Sequence, residues 1–455
     1  MGTAWFGTDG IRDVAGEGRL APEALPRIGE ALGRFLVART AGRAPRVLFG
    51  RDPRPSGPDL LAGLAAGLAV HGATLEDAGL LPTPALAFAL AHGEHDLGLM
   101  LSASHNPPAY NGIKPFLPGG RKMTPEEEAE VEGHLAAESA PAETNDVHVA
   151  PAPTWVERYV SETTSWLAPH GGLGGTRIVV DLAAGAATPT AAALLEAMGA
   201  VVNPLHPADS RPINDACGSE HPEAWLEAVR SRSGWVGMAL DGDADRVLLA
   251  DETGQLLDGD DLLSILAREL AAFDGAVPGD HVVGTVMSNL GLEDVLSRDG
   301  VQLARASVGD RHVADRMREL GAVLGGEPSG HVVLARTDLG VPPPLIGDAV
   351  VAGIRVLQAA RRLGRPLAAL RADRPRFPQR LVNVRMKERV PLESWTELRD
   401  AQAALEAKAD GGLRFVVRYS GTEPLLRIMA EGRDARLVDE AVESLAEIAT
   451  TSARA

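Results

Sequence analysis

Short apolar runs closed by Gly- or Pro-rich turns, each followed by a helix-length stretch, recur along this chain, and that alternation confines it to an α/β fold. From Arg46 the order is "RVLFG", a strand, then the turn "RDPRPSG", then "PDLLAGLAAGLAVHG", a Pro-started and Gly-ended helix. Another short helix is expected from about residue 83, and "LGLML" reads as a strand with Ser102 to Asn106 at its C-terminal end. Open α/β sheets usually bind ligands at that end. The order strand, small-residue loop, helix, strand returns in "TRIVVDLAAGAATPTAAALLEAMGAVV" and again in "GDHVVGTVMSNLGLEDVLSRDGVQLARA". Three units of one grammar predict three related mixed α/β domains. A Pro/Arg-rich link, "RADRPRFPQR", then leads to a last unit with the proportions of a smaller α+β domain. An Ala/Pro/Thr-rich stretch over 139–155 marks a boundary, and the expected domains are 1–150, 151–253, 254–370 and 371–455.

The formal charge of -18, from 44 basic against 62 acidic residues, argues against a nucleic-acid or anionic-membrane surface, so an anionic ligand must be met by a local basic pocket. The one cysteine, Cys217, excludes an internal disulfide framework and reads as a small buried hydrophobe, since no partner motif surrounds it. The first residues, "MGTAWFGTDG", lack the regions of a signal peptide, and no apolar run approaches membrane-spanning length. A soluble, cytoplasmic protein without nucleic-acid or membrane partners is expected.

Four loops carry chemistry. In "ALDGDADRVLLAD" Asp241, Asp243 and Asp245 alternate after an apolar strand, and three hard carboxylate oxygens converging from one loop are what Mg²⁺ or Ca²⁺ requires. An EF-hand is excluded because Arg246 stands where that loop needs Gly, and "RVLLAD" continues as a strand. Three carboxylates leave octahedral positions for water or a phosphate oxygen, so the metal predicts a phosphate. "VVRYSGTEPLLR" offers it a place: Arg418 and Arg427 as charged donors, Ser420 and Thr422 as hydroxyl donors, and Gly421 for close backbone approach. "GGEPSGHVV" sets Glu327, Ser329 and His331 on alternate positions of a Gly-flanked loop, where a carboxylate can accept from neighbouring sugar hydroxyls. "LMLSASHNPPAYNGIKPF" places Ser102, Ser104, His105 and Lys114 around a pair of prolines, while "FGTDGIR" supplies Thr8 and Arg12. Arg12 and Lys114 could neutralise charge on a phosphorylated side chain. No nucleophile elbow or P-loop is present in the sequence.

Taken in order, "SASHNP", "DGDADR", "GEPSGH" and "RYSGTEP" resemble the phosphoserine, metal, sugar-binding and phosphate-binding loops of the α-D-phosphohexomutase superfamily, across essentially the whole chain. The resemblance implies three related α/β domains and a smaller fourth around one central cleft. It implies that Ser104 is the phosphorylated nucleophile and a further metal ligand, with Ser102 at a variable scaffold position. Within the superfamily, "FGTDGIR", "NGIK", "ASVGDRHV" and "SGTEPLLRIM" look most like the phosphoglucosamine mutases. That branch interconverts glucosamine 6-phosphate and glucosamine 1-phosphate, an isomerase reaction in UDP-N-acetylglucosamine biosynthesis. Phosphomannomutase or phosphoglucomutase activity by the same route is the alternative, and a metal-dependent sugar phosphatase the more distant one. Asp13, Pro328 and Tyr419 depart from the residues usual in the family at those places, the last two inside ligand loops.

What the resemblance implies for the site is one Mg²⁺ per chain on Asp241, Asp243, Asp245 and phosphorylated Ser104, with a sugar bisphosphate as activator. Arg12, Lys114 and Arg246 would assist phosphoryl transfer, and His105, Lys114 and His331 are candidates for the base. Glu327, Ser329 and His331 would hold the sugar, and Arg418, Ser420, Gly421, Thr422 and Arg427 its distant phosphate. The resemblance admits a homodimer, for which the patterning shows no interface.

Overall fold

Fully apolar five-residue strands can be satisfied only inside a sheet covered on both faces, and two of them, Leu97–Leu101 and Val236–Leu240, are buried along their whole length. They belong to different sheets. The computed structural model describes residues 5–7, 9–136, 147–274, 280–340, 343–387, 389–409, 412–420 and 424–454. Among these, four sheets follow one another along the chain.

The first sheet runs in space from Ile11–Val14 through Tyr110–Leu117, Leu97–Leu101, Arg46–Arg51 and Thr74–Leu80 to Ala150–Pro151, with Arg121–Lys122 beside Tyr110–Leu117. The second orders Leu256–Leu257, Val247–Ala250, Val236–Leu240, Arg177–Asp181 and Val201–Leu205; the third, Gln302–Ala306, His281–Thr285, Leu324–Gly326 and Val332–Leu334. Each of the three has a parallel core, and in each one parallel strand turns back into an antiparallel neighbour: Leu101 pairs with Ile113, Leu240 with Val247, Gly326 with Val332. The fourth sheet is antiparallel throughout, with Leu413–Tyr419 returning as Leu425–Gly432 beside Gln379–Arg385. All four chemical loops sit in these turns, where a strand ends on the ligand side and its successor leaves again.

Packing unites the first three units and sets the fourth apart. One continuous apolar cluster includes Leu48, Met100 and Phe116 of the first sheet, Val180, Met238 and Leu240 of the second, and Val282 and Leu324 of the third. The helix Ala349–Arg362, within the segment expected for a third domain, reaches the second sheet, where Gly353 lies against the Met238 side chain. Asp348 caps this helix by accepting from the Val351 N–H at 3.1 Å, and also accepts from the Tyr159 hydroxyl at 2.7 Å. The fourth unit has its own core, with Val384, Trp395, Leu398, Leu426 and Ile428 in one cluster and Ala430, Val438 and Val442 in an adjoining one.

The link the sequence marks is tied down. Arg374 is buried and bonds Asp258 at 2.7 Å and Asp261 at 2.6 Å, and Arg376 bonds Asp261 at 2.5 Å. The Phe377 N–H donates to Asn289 Oδ1 at 3.1 Å while Asn289 Nδ2 donates to the Phe377 carbonyl at 3.0 Å. Further along, Glu431 is fully buried, accepts from the Leu290 N–H at 2.8 Å and pairs with Arg414, which itself donates to the Val286 and Ser288 carbonyls. Glu431 therefore satisfies a helix N-terminus of the third unit from a strand of the fourth. Glu431→Ala leaves Arg414 and that N–H uncompensated and is expected to destabilise the docked fourth unit by about 3 kcal/mol. Hydrogen exchange should show faster opening of residues 379–432 than in the parent chain; equal protection would refute the docking role.

Candidate active site

The serine loop is built around a buried cation. Arg54, in the turn after Arg46–Arg51, is almost wholly excluded from solvent and pairs with Asp52 through Nε at 2.9 Å. Its remaining nitrogens donate to the carbonyls of Ser104 (3.0 Å), Asn106 (2.8 Å), Pro107 (2.6 Å) and Tyr110 (2.7 Å). Four convergent carbonyls on one guanidinium fix the loop's path. Ser102, the scaffold serine, donates its hydroxyl to Asp52 at 2.6 Å and accepts the Ser104 N–H at 2.9 Å. Ser104 is held at φ 51, a left-handed conformation that costs free energy in a non-glycine residue and persists because these bonds impose it.

So held, the buried Ser104 hydroxyl faces the metal loop and donates to Asp241 Oδ2 at 2.6 Å. The loop can come this close because residue 242 is glycine: a Cβ there would lie 2.6 Å from the Ser104 carbonyl oxygen. Asp241, Asp243 and Asp245 are all buried and each presents a carboxylate oxygen within 4.8 Å of the others. Asp241 Oδ1 accepts the N–H groups of Asp245 and Arg246, both at 3.1 Å. Asp243 Oδ2 accepts from Lys114 at 2.7 Å and from the Thr83 hydroxyl at 2.5 Å. Asp243 Oδ1 and Asp245 Oδ1, also buried, receive no hydrogen bond. Orphaned carboxylate oxygens in a buried acidic cluster fit a divalent cation, which would supply the charge the N–H groups leave unmet.

The titration behaviour agrees. Burial, and then the charges of Asp245 and Asp243, push the Asp241 carboxyl well above the usual range, against Arg246 and the Ser104 hydroxyl. Burial acts the same way on Asp245, but Lys114, His331 and Arg246 outweigh it and hold that carboxyl well below. Burial alone would lower Lys114; the charges of Asp243, Asp9 and Asp245 reverse it and keep the ammonium protonated far above its ordinary range. His105 goes the other way: burial, Arg246 and Arg12 lower its imidazole to about 4, so it is neutral near pH 7, with Nδ1 3.3 Å from Ser104 Oγ.

The remaining expected residues are placed unequally. Arg12 reaches Asn106 Oδ1 at 3.5 Å and pairs with Asp9 at 2.5 Å. Arg246 lies 3.9 Å from Asp245 Oδ1 and 3.8 Å from Glu220, and its backbone forms an antiparallel bridge with His331. That bridge joins the sugar loop to the metal loop, and it requires Gly330, whose Cβ would meet the Val247 carbonyl oxygen at 2.1 Å. His331 Nδ1 is 3.8 Å from Asp245, and Asp245, Asp310 and Glu327 raise its imidazole above the ordinary value although burial opposes them. Glu327 accepts from the Gly309 N–H at 3.0 Å, and Ser329 is exposed.

The fourth loop stands in its own unit. Arg418 and Arg427 are direct cross-strand partners, an unfavourable placement for like charges that a bound anion would relieve. Burial and the Arg427 charge lower the Arg418 guanidinium. Ser420 is buried, with Arg427 at 3.5 Å from its hydroxyl and Arg389 donating to its carbonyl at 2.7 Å. Tyr419 faces the other side of the sheet, its hydroxyl donating to the Val390 carbonyl at 2.8 Å. Gly421, Thr422 and Thr8 lie outside the described residues.

Sequence reasoning passed over several members. Asp9 accepts from Lys114 at 2.8 Å and Lys122 at 2.5 Å, and Lys122 also pairs with Asp310 of the third unit. Asn214 donates to the Ser104 carbonyl at 2.7 Å. Arg54 and Asp52 had a usable signal, charged residues ending the parallel strand next to Leu97–Leu101; Lys122 and Asn214 had none.

Comparison with known proteins agrees with this layout. The models of phosphoglucomutase/phosphomannomutase alpha/beta/alpha domain I, alpha/beta/alpha domain III and C-terminal domain match residues 3–142, 258–377 and 381–448. A phosphoglucosamine mutase of Symbiobacterium thermophilum is 40% identical over 454 residues, covering 98% of each chain, and one of Caulobacter vibrioides is 42% identical over 450 residues, covering 97% of this chain and 98% of its own. Among solved structures, a phosphoglucomutase/phosphomannomutase family protein of Burkholderia thailandensis superposes with a TM-score of 0.78 at 25% identity, over 98% of this chain and 97% of its own. An Aspergillus fumigatus N-acetylphosphoglucosamine mutase, solved with GlcNAc-6P and magnesium, gives 0.68 at 17% identity over 99% and 96%.

A raised Asp241 has a measurable consequence. Its proton must leave when the carboxylate takes a cation, so Mg²⁺ uptake by the unphosphorylated protein should release protons. Apparent affinity should weaken by up to about tenfold per pH unit below the Asp241 titration. Calorimetry in two buffers of different ionisation heat reads the proton count; heats independent of buffer would contradict it.

Proposed function

The chain belongs to the phosphoglucomutase/phosphomannomutase family, and from that premise we propose that it is an isomerase interconverting glucosamine 6-phosphate and glucosamine 1-phosphate through a phosphorylated Ser104 and a sugar bisphosphate. The observation that carries the mechanism is the buried Ser104 hydroxyl 2.6 Å from Asp241 in a three-carboxylate cluster. The amino-sugar preference rests on the full-length likeness to phosphoglucosamine mutases. Tyr419, one departure in a ligand loop, turns its side chain away from Arg418 and Arg427.

In the forward half-reaction the bond between Ser104 Oγ and phosphorus breaks while the free hydroxyl of a bound sugar monophosphate forms a new bond to the same phosphorus. The hydroxyl proton passes to a neutral base and from there to Ser104 Oγ, which leaves as the free serine hydroxyl. His105 is the best placed of the three candidates, because Lys114 is held as a cation by its carboxylates and His331 is raised. Arg12, Lys114 and Arg246 surround the transferring group with positive charge. Mg²⁺ on Asp241, Asp243 and Asp245 would, when bound, supply further charge to the phosphoryl oxygens.

Arg418, Ser420 and Arg427 hold the phosphate that is not reacting, with Gly421 and Thr422 in the same loop, and Glu327 and Ser329 accept or donate to sugar hydroxyls in either orientation of the ligand. Holding the far phosphate places the reacting hydroxyl, which converts binding into proximity. The bisphosphate then turns and returns its other phosphate to Ser104, and the same bisphosphate added from solution reloads a dephosphorylated enzyme. Closure of the fourth unit over the cleft would keep the intermediate from escaping.

The test is kcat/KM for glucosamine 1-phosphate, glucose 1-phosphate and mannose 1-phosphate on one Mg²⁺-loaded, bisphosphate-primed preparation, with Ser104→Ala alongside. A preference for the amino sugar is expected, and the variant should lose about 10⁴-fold or more. Preference for a neutral sugar would keep the mechanism and change the substrate. Phosphate release as fast as isomerisation would make the protein a phosphatase, and full activity in the variant would remove the phosphoserine.

A further inference from the structure

The strand Arg177–Asp181 ends in a second cluster of ligating side chains, apart from the Asp loop. Asp181, His206 and Cys217 each offer one atom, a carboxylate oxygen, an imidazole nitrogen and a sulfur, and the three atoms lie within 4.8 Å of one another. They come from three segments separated in sequence, so no short motif announces them. Asp181 and Cys217 are fully buried, and His206 keeps one edge in solvent, with a side-chain exposure of 20%.

We propose that Asp181, His206 and Cys217 form a second metal site, selective for a borderline divalent cation of the Zn²⁺ type and serving to fix the loop 206–217 beneath the phosphoserine loop. The donor set decides the class of ion. Thiolate with imidazole and one carboxylate suits Zn²⁺ or its neighbours and is poor for Mg²⁺, which the all-carboxylate loop at Asp241 suits. Zn–N, Zn–O and Zn–S bonds of about 2.0–2.3 Å set tetrahedral ligand atoms about 3.3–3.6 Å apart, so the cluster needs only a small adjustment to bind.

The polar contacts of the site leave room for the ion. Asp181 Oδ1 accepts the Ala183 N–H at 2.9 Å, a bond of the kind that orients a ligating carboxylate, and Oδ2 faces His206 Nδ1 at 3.0 Å. A cation entering between them takes the place of that shared hydrogen. The imidazole then carries its proton on Nε2, at the exposed edge, and the Cys217 thiol gives its proton to solvent. Water reaching that edge completes the coordination. Arg211, the neighbouring cation, donates to the Asp215 and Ala216 carbonyls at 3.0 and 3.1 Å and also hydrogen-bonds the Cys217 sulfur, a contact that the ion would displace.

The consequence runs to the nucleophile. Asn214, between His206 and Cys217 in the chain, donates its side-chain N–H to the Ser104 and Asn106 carbonyls and its backbone N–H to the Ala183 carbonyl at 2.9 Å. An ion joining both ends of this loop to Asp181 would hold Asn214 in place without touching substrate. It is a positioning device, and it stands whichever sugar the enzyme takes.

Co²⁺ reports thiolate ligation directly. The full-length protein, stripped with chelator and then saturated with Mg²⁺, is titrated with Co²⁺ and read by absorption. A thiolate-to-cobalt charge-transfer band is expected that saturates at a single site and is displaced by Zn²⁺ but not by further Mg²⁺. Cys217→Ser should abolish the band, and Ser104→Ala should leave it unchanged. His206→Asn should weaken Co²⁺ binding by about 100-fold; Asn tolerates the left-handed backbone at 206, φ 48, so this variant decides the matter should Cys217→Ser fail to fold. Absence of the band in the parent protein, its survival in Cys217→Ser, or unchanged binding in His206→Asn would each overturn the proposal.

Discussion

Three buried carboxylates cannot share a site unless cations meet them, and here Arg246 of the same loop is joined by a cation from another part of the chain. Lys114 of the first unit bonds Asp243 at 2.7 Å and Asp9 at 2.8 Å, so the acidic loop of the second sheet is neutralised from the first. Breaking one partner out of such a buried set costs about 3–5 kcal/mol, which makes the charge cluster a clamp between units as well as a site. The same contacts divide the carboxyls into one that favours its proton and one that does not. An acidic group that is easily ionised and another that is not, beside a buried serine hydroxyl, is a centre arranged around a charge still to be supplied.

Topology explains how one fold brings four loops to this clamp. A parallel strand delivers its last residue to the ligand side of a sheet, and an antiparallel successor carries the chain straight back, so the intervening turn is short and stiff. Ser104, Asp241 to Asp245, and Glu327 to His331 occupy three such turns, joined by the backbone bond from the Val247 N–H to the Gly330 carbonyl at 3.0 Å and by the Ser104 hydroxyl bond to Asp241 at 2.6 Å. Turns bonded to one another hold the backbone, and side-chain bonds such as Ser104 to Asp241 and Lys114 to Asp243 then fix the functional groups.

This is why much was legible in the sequence and why the rest was not. The alternation of strand and helix, and the loops at strand ends, depend on local pattern, so the serine cluster and the three aspartates could be named from spacing, while the choice of Ser104 over Ser102 comes from the resemblance to the phosphohexomutases. Arg54 could have been inferred from its place after a parallel strand, but its four carbonyl contacts depend on how the serine loop folds over it. Asp9, Lys122 and Asn214 act across 100 residues or more of chain, at contacts such as Lys122 with Asp9 and Asn214 with Ser104, and no local pattern encodes them. Cys217 shows the same limit in reverse. Its surroundings in sequence are bland, and only the fold brings Asp181 and His206 to it.

The fourth unit poses a different mechanical problem: under the proposed function its loop would approach the cleft for binding and withdraw for release. The Pro/Arg-rich link is fastened at Arg374, Arg376 and Phe377 to the third unit, and the Gly432 N–H donates to the Pro378 carbonyl at 3.1 Å inside the fourth. Phe377 is bonded to Asn289 through both its N–H and its carbonyl, and the Pro378 ring fixes φ, so Pro378 ψ is the torsion left between the two fastenings, a pivot narrower than the Pro/Arg-rich stretch suggests. Rotation there must also strain or release the Glu431 bond to Leu290 and the Arg414 bonds to Val286 and Ser288. Those contacts lie at one end of the hairpin, at Arg414 and Glu431, while Arg418, Ser420 and Arg427 lie toward the other. A small rotation about the fastened end would move the end that carries Arg418 and Arg427 farthest, so the arrangement would convert a slight change at the docking contacts into a larger displacement of that loop.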